Sequence, residues 1–182
     1  MDTLVELYKK NRHTTDKGDR HSYLPVYDEL FYRFKDKENL ILEIGILKGD
    51  SLNLWAEYFT KSTIYGIDYT MPRRYKRKYD AVHIIHADAY TESAVVDLSE
   101  HGKFDIIIDD GSHWVPHQKF VAEKYPFLLT DDGVLVIEDL REHNKNIVNN
   151  FSEELEKCTY YVPGKNKGVE DDALIICDKS LL

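Results

Sequence analysis

The chain is short of cysteine, proline and glycine, with 2, 5 and 9 of them among 182 residues. This scarcity excludes collagen-like and low-complexity sequences and small disulfide scaffolds. No uninterrupted apolar run approaches the roughly 20 residues of a membrane-spanning helix, and the N-terminus lacks the basic and then apolar order of a signal peptide. We therefore expect one globular domain in the cytoplasm, without a membrane partner.

The two cysteines, Cys158 and Cys177, lie outside any CxxC motif. Their spacing suggests neither a zinc site nor a thioredoxin-like redox centre. We expect both thiols to be reduced and buried.

Basic residues are the minority, with 24 Lys and Arg against 33 Asp and Glu and a formal net charge of −9. This balance argues against broad binding of nucleic acid or anionic membrane. Residues 71–80, MPRRYKRKYD, are a local exception with five cationic side chains against one acid. A solvated loop is the simpler interpretation of such a run. Phosphate binding is the alternative, and it would use Arg73, Arg74, Lys76, Arg77 and Lys78.

Short apolar runs alternate with helical patterns from residue 40 onward, which is typical of an α/β protein with a parallel sheet. Two last apolar runs flank a polar loop and predict a C-terminal antiparallel hairpin. The predicted strands are Leu40–Ile46, Thr63–Asp68, Val82–His86, Phe104–Asp109, Val134–Ile137, Thr159–Val162 and Ala173–Cys177.

Helical patterns occupy several of the connections and the first 39 residues. A turn at Asp131-Asp132-Gly133 is predicted before the fifth strand. Pro116 suits a first helical turn, and Pro126 ends that helix. The predicted helices are Leu4–Lys10, Pro25–Asp36, Ser51–Phe59, Pro116–Tyr125 and Asn146–Lys157.

The turn after the first strand reads Glu43-Ile44-Gly45-Ile46-Leu47-Lys48-Gly49-Asp50. Leucine stands where the second glycine of a nicotinamide-binding GxGxxG would be, and Asp50 at the helix start would repel phosphate. Dinucleotide binding is therefore disfavoured. The pattern ExGxxxG instead resembles motif I of the class I S-adenosylmethionine-dependent methyltransferases, whose glycines let the backbone approach the amino-acid and ribose parts of the cofactor.

The same resemblance implies cofactor contacts at the ends of the next strands. Asp68 ends the second strand, where a carboxylate can accept both ribose hydroxyls, and Asp88 follows the third, where the adenine amino group is usually received. Each acid alone could equally cap a loop. The complete set of expected cofactor residues is Glu43, Gly45, Gly49, Asp68, Asp88, Ala89, Asp109, Thr15 and Lys17.

Acidic clusters follow the fourth and fifth strands, in Asp109-Asp110-Gly111-Ser112-His113 and in Glu138-Asp139. Both should face one crevice beyond the carboxyl ends of the strands. Carboxylates that converge there raise one another's pKa unless a hard divalent cation compensates them, and oxygen ligands favour Mg²⁺. Capping of a following helix is the alternative for Glu138 and Asp139.

The segments IIIDDGSHW and GVLVIEDL, with Thr15-Asp16-Lys17-Gly18 upstream, resemble the metal-dependent sugar O-methyltransferases of the macrolide (mycinamicin) type. The resemblance implies that Asp110, Glu138 and Asp139 bind the metal and that His113 is the general base. It also implies one Rossmann-like domain with strand order 3-2-1-4-5-7-6, and a homodimer by analogy. Residues 1–39 would form a helical cover on the core, residues 40–182, with Thr15 to Tyr23 as its flexible part.

We therefore expect an enzyme that methylates a sugar hydroxyl with S-adenosylmethionine and Mg²⁺. Macrolide enzymes of this group carry a large additional N-terminal domain, so the shorter chain favours a smaller acceptor. Candidate acceptors are a nucleotide sugar, a glycan or a glycosylated small molecule. The alternatives are methylation of a phenol, a catechol or RNA ribose, with nucleic acid the less expected partner, and a non-catalytic cofactor-binding module.

Overall fold

The computed structural model describes residues 2–71, 78–140, 158–161 and 173–181. Seven strands form its central sheet: β1 Leu40–Ile44, β2 Thr63–Asp68, β3 Val82–His86, β4 Phe104–Asp109, β5 Leu129–Ile137, β6 Cys158–Tyr161 and β7 Leu174–Asp178. Their order is β3-β2-β1-β4-β5-β7-β6. The first five strands run parallel, and β7 is antiparallel to both β5 and β6. This arrangement confirms the predicted fold class and strand order.

Alternate residues of the strands build two apolar layers, one on each face of the sheet. Ile41 and Ile106 belong to one layer, whereas their neighbours Leu42 and Ile107 belong to the other. Strands buried on both faces read as continuous apolar runs, which is why the sequence pattern located them well.

Helices cover both layers. The described α-helices are α1 Leu4–Lys10, α2 Asp16–Asp19, α3 Leu24–Phe31, α4 Asp50–Tyr58, α5 Glu92–Ser99 and α6 Val115–Lys124. The core beside α4 also contains Tyr23, Tyr27 and Phe31, so the N-terminal helices pack on this side of the sheet. α2 lies in a stretch that the sequence analysis left without a helix, and α5 was likewise not predicted.

The predicted turn at residues 131–133 lies inside β5. Leu129 pairs with Phe104, but the next register pair is Val134 with Ile106, so the intervening residues of β5 form an irregularity. Asp131 and Asp132 are exposed there. The sequence thus located a local irregularity correctly, but this irregularity interrupts β5 and does not precede it.

Cys177 is buried, as expected, but it is disulfide-bonded, so the prediction of a reduced thiol is wrong. The chain has one other cysteine, Cys158, and the two residues are register partners across β6 and β7. The antiparallel pairing of β6 with β7 thus places the backbones of two positions that are distant in the sequence side by side.

Several predicted features lie outside the described residues. These are most of the basic run (Arg73, Arg74, Lys76 and Arg77), the helix 146–157, Val162 and the hairpin loop 163–172. Among the residues that are described, no helix is both long enough and apolar enough to cross a lipid bilayer.

Candidate cofactor and metal site

The carboxyl ends of β1, β2 and β4 surround a cleft of about 310 Å³. Residues that line it include Thr15, Gly45, Asp68, Asp110 and His113. Gly45 has φ +90°, and a Cβ atom at this position would lie 2.1 Å from the backbone oxygen of Asp110. Only glycine therefore lets the turn after β1 pass so close to the turn after β4. The cleft brings predicted cofactor residues and predicted catalytic residues together.

Gly49 and Asp68 shape the same turn. Gly49 precedes α4 in the left-handed conformation, at φ +76°. Asp68 Oδ2 accepts a hydrogen bond of 2.8 Å from the backbone N–H of Ile46, and Oδ1 accepts one of 2.7 Å from that of Thr70. Burial alone would raise the pKa of Asp68, but these hydrogen bonds outweigh it and hold the pKa below its ordinary value. Asp68 therefore faces the cleft as a carboxylate.

Glu43 is fully buried and is not among the described residues that line the cleft. Its Oε2 atom accepts hydrogen bonds from Ser51 Oγ at 2.9 Å and from Trp55 Nε1 at 3.2 Å. Burial raises the pKa of Glu43 to about 7, although Lys17 opposes the rise. Glu43 on β1 therefore joins the strand to α4 inside the protein through these two hydrogen bonds.

Asp88, Ala89 and Asp109 are not among the described residues that line the cleft. Asp88 Oδ1 accepts the backbone N–H of Tyr90 at 3.0 Å, which is the loop-capping geometry named above as the alternative. Ala89 is buried. Asp109 accepts the Tyr90 hydroxyl at 2.9 Å, and burial raises its pKa to about 6.

Asp110, His113 and Asp139 form the group of described residues best placed to hold a cation. One ligand atom from each lies within 4.8 Å of the others. His113 Nε2 is 3.6 Å from Asp139 Oδ2. Both residues have positive φ, +54° for His113 and +56° for Asp139, a conformation that costs energy in a residue with a side chain. Two of the four described non-glycine residues with positive φ thus belong to this group.

Glu138, the third predicted metal ligand, lies next to this group and is only 1% exposed. Tyr27 donates its hydroxyl to Oε1 at 2.6 Å, and Lys17 Nζ lies 3.0 Å from Oε2. Burial raises the pKa of Glu138 well above its ordinary value, and the Lys17 ammonium opposes this rise.

Lys17 on α2 is fully buried among these acids. Its Nζ atom donates to Asp110, lies 2.9 Å from Glu138 Oε1 and is 3.5 Å from Glu43 Oε1. Burial alone would lower the pKa of Lys17, but the acids outweigh it and hold the pKa well above its ordinary range. Lys17 was expected to contact the cofactor, but it is not among the described residues that line the cleft, and its ammonium pairs with acids instead.

Two tyrosines also contact the acids: Tyr23, the last residue of the expected flexible cover, and Tyr27, for which no role was predicted. Tyr23 donates its hydroxyl to Asp139 Oδ1 at 2.9 Å, and Tyr27 bonds Glu138 as described. His21, stacked on Tyr23 and 2% exposed, has Nε2 3.7 Å from Asp139 Oδ1. A sequence signal existed, because Tyr23 and Tyr27 are four residues apart and buried tyrosines need hydrogen-bond partners.

No family model matches the sequence. Among curated proteins, the chain is 33% identical over 138 residues to the 8-demethyl-8-alpha-L-rhamnosyl tetracenomycin-C 2'-O-methyltransferase of Streptomyces olivaceus, a match that covers 71% of this chain and 36% of that protein. It is 32% identical over 142 residues to the mycinamicin VI 2''-O-methyltransferase of Micromonospora griseorubida, covering 71% of this chain and 34% of that protein. The match thus spans about a third of the length of these relatives.

Solved structures show the same fold over nearly the whole chain. The methyltransferase MycE from the mycinamycin biosynthetic pathway, in complex with Mg, S-adenosylhomocysteine and mycinamycin VI, superposes with a TM-score of 0.73 at 22% identity, covering 96% of this chain and 54% of that one. A putative ribosomal RNA methyltransferase from Plasmodium falciparum has a TM-score of 0.67 at 17% identity, covering 88% of this chain and 96% of that one. The chain therefore has the class I S-adenosylmethionine-dependent methyltransferase fold and is related in sequence to the sugar O-methyltransferases of the macrolide type.

Proposed function

We propose that this domain transfers a methyl group from S-adenosylmethionine to a sugar hydroxyl, with Mg²⁺ as a second cofactor. The observation that carries the proposal is the cleft that joins Gly45 and Asp68 to Asp110 and His113. A cofactor turn and an acidic, histidine-containing cluster thus share one space. Enzymes that combine an activated methyl donor with a weak nucleophile need this proximity.

The cleft suits the cofactor through its backbone and one carboxylate. Because Gly45 has no Cβ atom, the turn after β1 packs directly against the turn after β4, and both line the same cleft. Asp68 offers acceptor lone pairs for ribose hydroxyls. Thr15 lines the same cleft from the N-terminal segment. When bound, S-adenosylmethionine supplies a sulfonium methyl group that is already activated for transfer.

The donor set also suits a hard divalent cation. Asp110 and Asp139 provide carboxylate oxygens, which Mg²⁺ prefers. Glu138 is not a member of that group, but its carboxylate shares the Lys17 ammonium with Asp110. When bound, Mg²⁺ supplies a Lewis acid that makes an aliphatic hydroxyl easier to deprotonate. Lys17 neutralises part of the remaining acidic charge.

His113 is the residue that can accept the hydroxyl proton. It lines the cleft, and its side chain is 38% exposed, compared with 20% for Asp110 and 9% for Asp139. A neutral imidazole within hydrogen-bond reach of a hydroxyl is an effective general base. Asp139, 3.6 Å from its Nε2 atom, is placed to stabilise the imidazolium that forms.

The proposed acceptor is a sugar hydroxyl in a glycosylated small molecule, a nucleotide sugar or a glycan. The names of the curated relatives support this class, since one acts on a rhamnosyl tetracenomycin and another on mycinamicin VI. The helical cover, the homodimer and the cytoplasmic location stay predictions.

The experiment is a transfer assay with labelled S-adenosylmethionine against a panel of rhamnosides, nucleotide sugars, catechol and RNA, with Mg²⁺ or with EDTA. We expect label on a sugar only in Mg²⁺, and none with Asp139→Asn, which should still bind S-adenosylhomocysteine. If only RNA or catechol is labelled, the proposed sugar acceptor is wrong. Full activity in EDTA would overturn the metal assignment.

A further inference from the structure

The N-terminal segment reaches the acidic cluster through side chains that are almost completely buried. Lys17, Tyr23 and Tyr27 are all 0% exposed. Their polar atoms meet Asp110, Asp139 and Glu138, which are the three proposed metal-binding carboxylates. Burying a polar group costs free energy unless the group finds a hydrogen-bond or charge partner. The three carboxylates are those partners here.

Each tyrosine hydroxyl donates to one oxygen of one carboxylate. Tyr23 bonds Asp139 Oδ1 at 2.9 Å, whereas Oδ2 of the same carboxylate lies 3.6 Å from His113 Nε2. Tyr27 bonds Glu138 Oε1 at 2.6 Å. In Asp139, therefore, one oxygen is held by the N-terminal segment and the other faces the candidate cation group.

We propose that Tyr23 and Tyr27 are positioning residues of the cation site, which fix the orientation of Asp139 and Glu138. This inference rests on the proposed function, because it assumes that these carboxylates bind the metal. A hydroxyl that donates to a carboxylate withdraws charge from it, so the benefit is orientation and not stronger donation. Hydrogen-bond partners of metal ligands commonly contribute 10- to 100-fold in metal affinity.

The positions of the two tyrosines in the fold support this role. Tyr27 lies on α3 and Tyr23 immediately precedes it, so one short helical segment orders both hydroxyls. Its aromatic rings pack in series, with Tyr27 stacked on Phe31 at 4.9 Å between ring centroids and edge-on to Trp55 at 5.6 Å. Rings held by this packing can place a hydroxyl accurately at low entropic cost.

The test measures metal binding without turnover, with Mn²⁺ as a paramagnetic probe for the Mg²⁺ site. Free Mn²⁺ is quantified by electron paramagnetic resonance for the wild type, Tyr23→Phe, Tyr27→Phe and the control Tyr125→Phe. Tyr125 is also fully buried and donates one hydroxyl hydrogen bond, at 2.6 Å, but to the Ala89 carbonyl oxygen. We expect 10- to 100-fold weaker Mn²⁺ binding for the first two variants and an unchanged affinity for the control.

Thermal unfolding in EDTA separates positioning from general stability. If the three variants lose similar stability but only Tyr23→Phe and Tyr27→Phe lose affinity, the positioning role is supported. Wild-type affinity in both variants, or an equal loss in all three, overturns it while the proposed function stands. A wild-type protein that binds no Mn²⁺ overturns the metal part of the proposed function and this inference with it. The two tyrosines act on different carboxylates, so either variant tests the inference if the other does not fold.

Discussion

At the residue scale, His113 combines a strained backbone with a side chain that lines the cleft. Its backbone is in the left-handed region at φ +54°, where a glycine would be cheaper, yet its side chain is partly exposed and lines the cleft. Backbone strain of this kind persists where the surrounding structure imposes it, and it clusters at functional sites. The neighbouring Gly111 allows the turn, because a Cβ there would lie 2.0 Å from the Tyr90 hydroxyl oxygen.

Replacing His113 with Gln should therefore affect the reaction and spare the cofactor. We expect turnover to fall roughly 10²- to 10⁴-fold, because no group then accepts the hydroxyl proton. The affinity for S-adenosylhomocysteine, measured by calorimetry, should stay the same. His83→Gln is the matched control, since His83 is exposed on β3. Wild-type turnover in His113→Gln would assign deprotonation to another group.

At the scale of elements, Glu57 on α4 connects three parts of the chain. It accepts hydrogen bonds from Asn11 and His13 of the N-terminal segment and from Lys78 and Tyr79, which precede β3. Burial would raise its pKa, but these hydrogen bonds outweigh it and lower the pKa to about 2 from the ordinary 4.5. One carboxylate therefore joins α4 to the segments on both sides of it.

The lowered pKa of Glu57 predicts a pH-dependent loss of stability in Glu57→Gln. A depressed folded-state pKa stabilises the fold above the unfolded pKa, and the contribution disappears as pH falls through the folded value. The variant should be less stable by about 1–3 kcal/mol at pH 7, and the difference should shrink between about pH 4.5 and pH 2. Urea unfolding at several pH values checks this. A difference independent of pH, or an equal loss in the exposed control Glu123→Gln, would contradict it.

At the scale of the whole molecule, the sequence predicted the features that a local residue pattern determines, namely the strands and the residues at their carboxyl ends. β2, β3 and β4 have the predicted bounds, because continuous apolar runs end where the strands end. The positions of Gly45, Asp68, Asp110 and His113 around one cleft followed from the rule that ligands bind beyond the carboxyl ends of parallel strands.

The sequence did not predict contacts between side chains that are far apart in the chain, because a local residue pattern does not determine them. The hydrogen bond from Tyr27 to Glu138 joins residues 111 positions apart, and the ion pair of Lys17 with Glu138 spans 121. Lys17 lies in a polar stretch and has no neighbour in the sequence that would reveal its burial. Asp88 followed the expected strand, but its local turn decides its contacts.

Lys17 also supplies positive charge that partly neutralises the acids around it. Asp110, Glu138 and Asp139 carry three negative charges when ionised, and one lysine with one divalent cation would neutralise them. Removing the ammonium alone leaves buried acids without a partner, which costs about 3–5 kcal/mol. In the proposed site the ion and the lysine share these carboxylates, so bound Mg²⁺ should offset part of this cost.

Lys17→Met should therefore lower the unfolding midpoint by roughly 6–20 °C in EDTA, given about 2–4 °C per kcal/mol for a domain of this size. Mg²⁺ should raise the midpoint of the variant more than that of the wild type, because the variant folds with one more uncompensated charge. Differential scanning fluorimetry with EDTA or Mg²⁺ measures both. Lys124→Met is the control, since Lys124 pairs with Glu92 on the surface, where such pairs contribute little to stability. A wild-type midpoint in Lys17→Met would show that the acids do not need the ammonium, and equal Mg²⁺ shifts would show that ion and lysine serve different carboxylates.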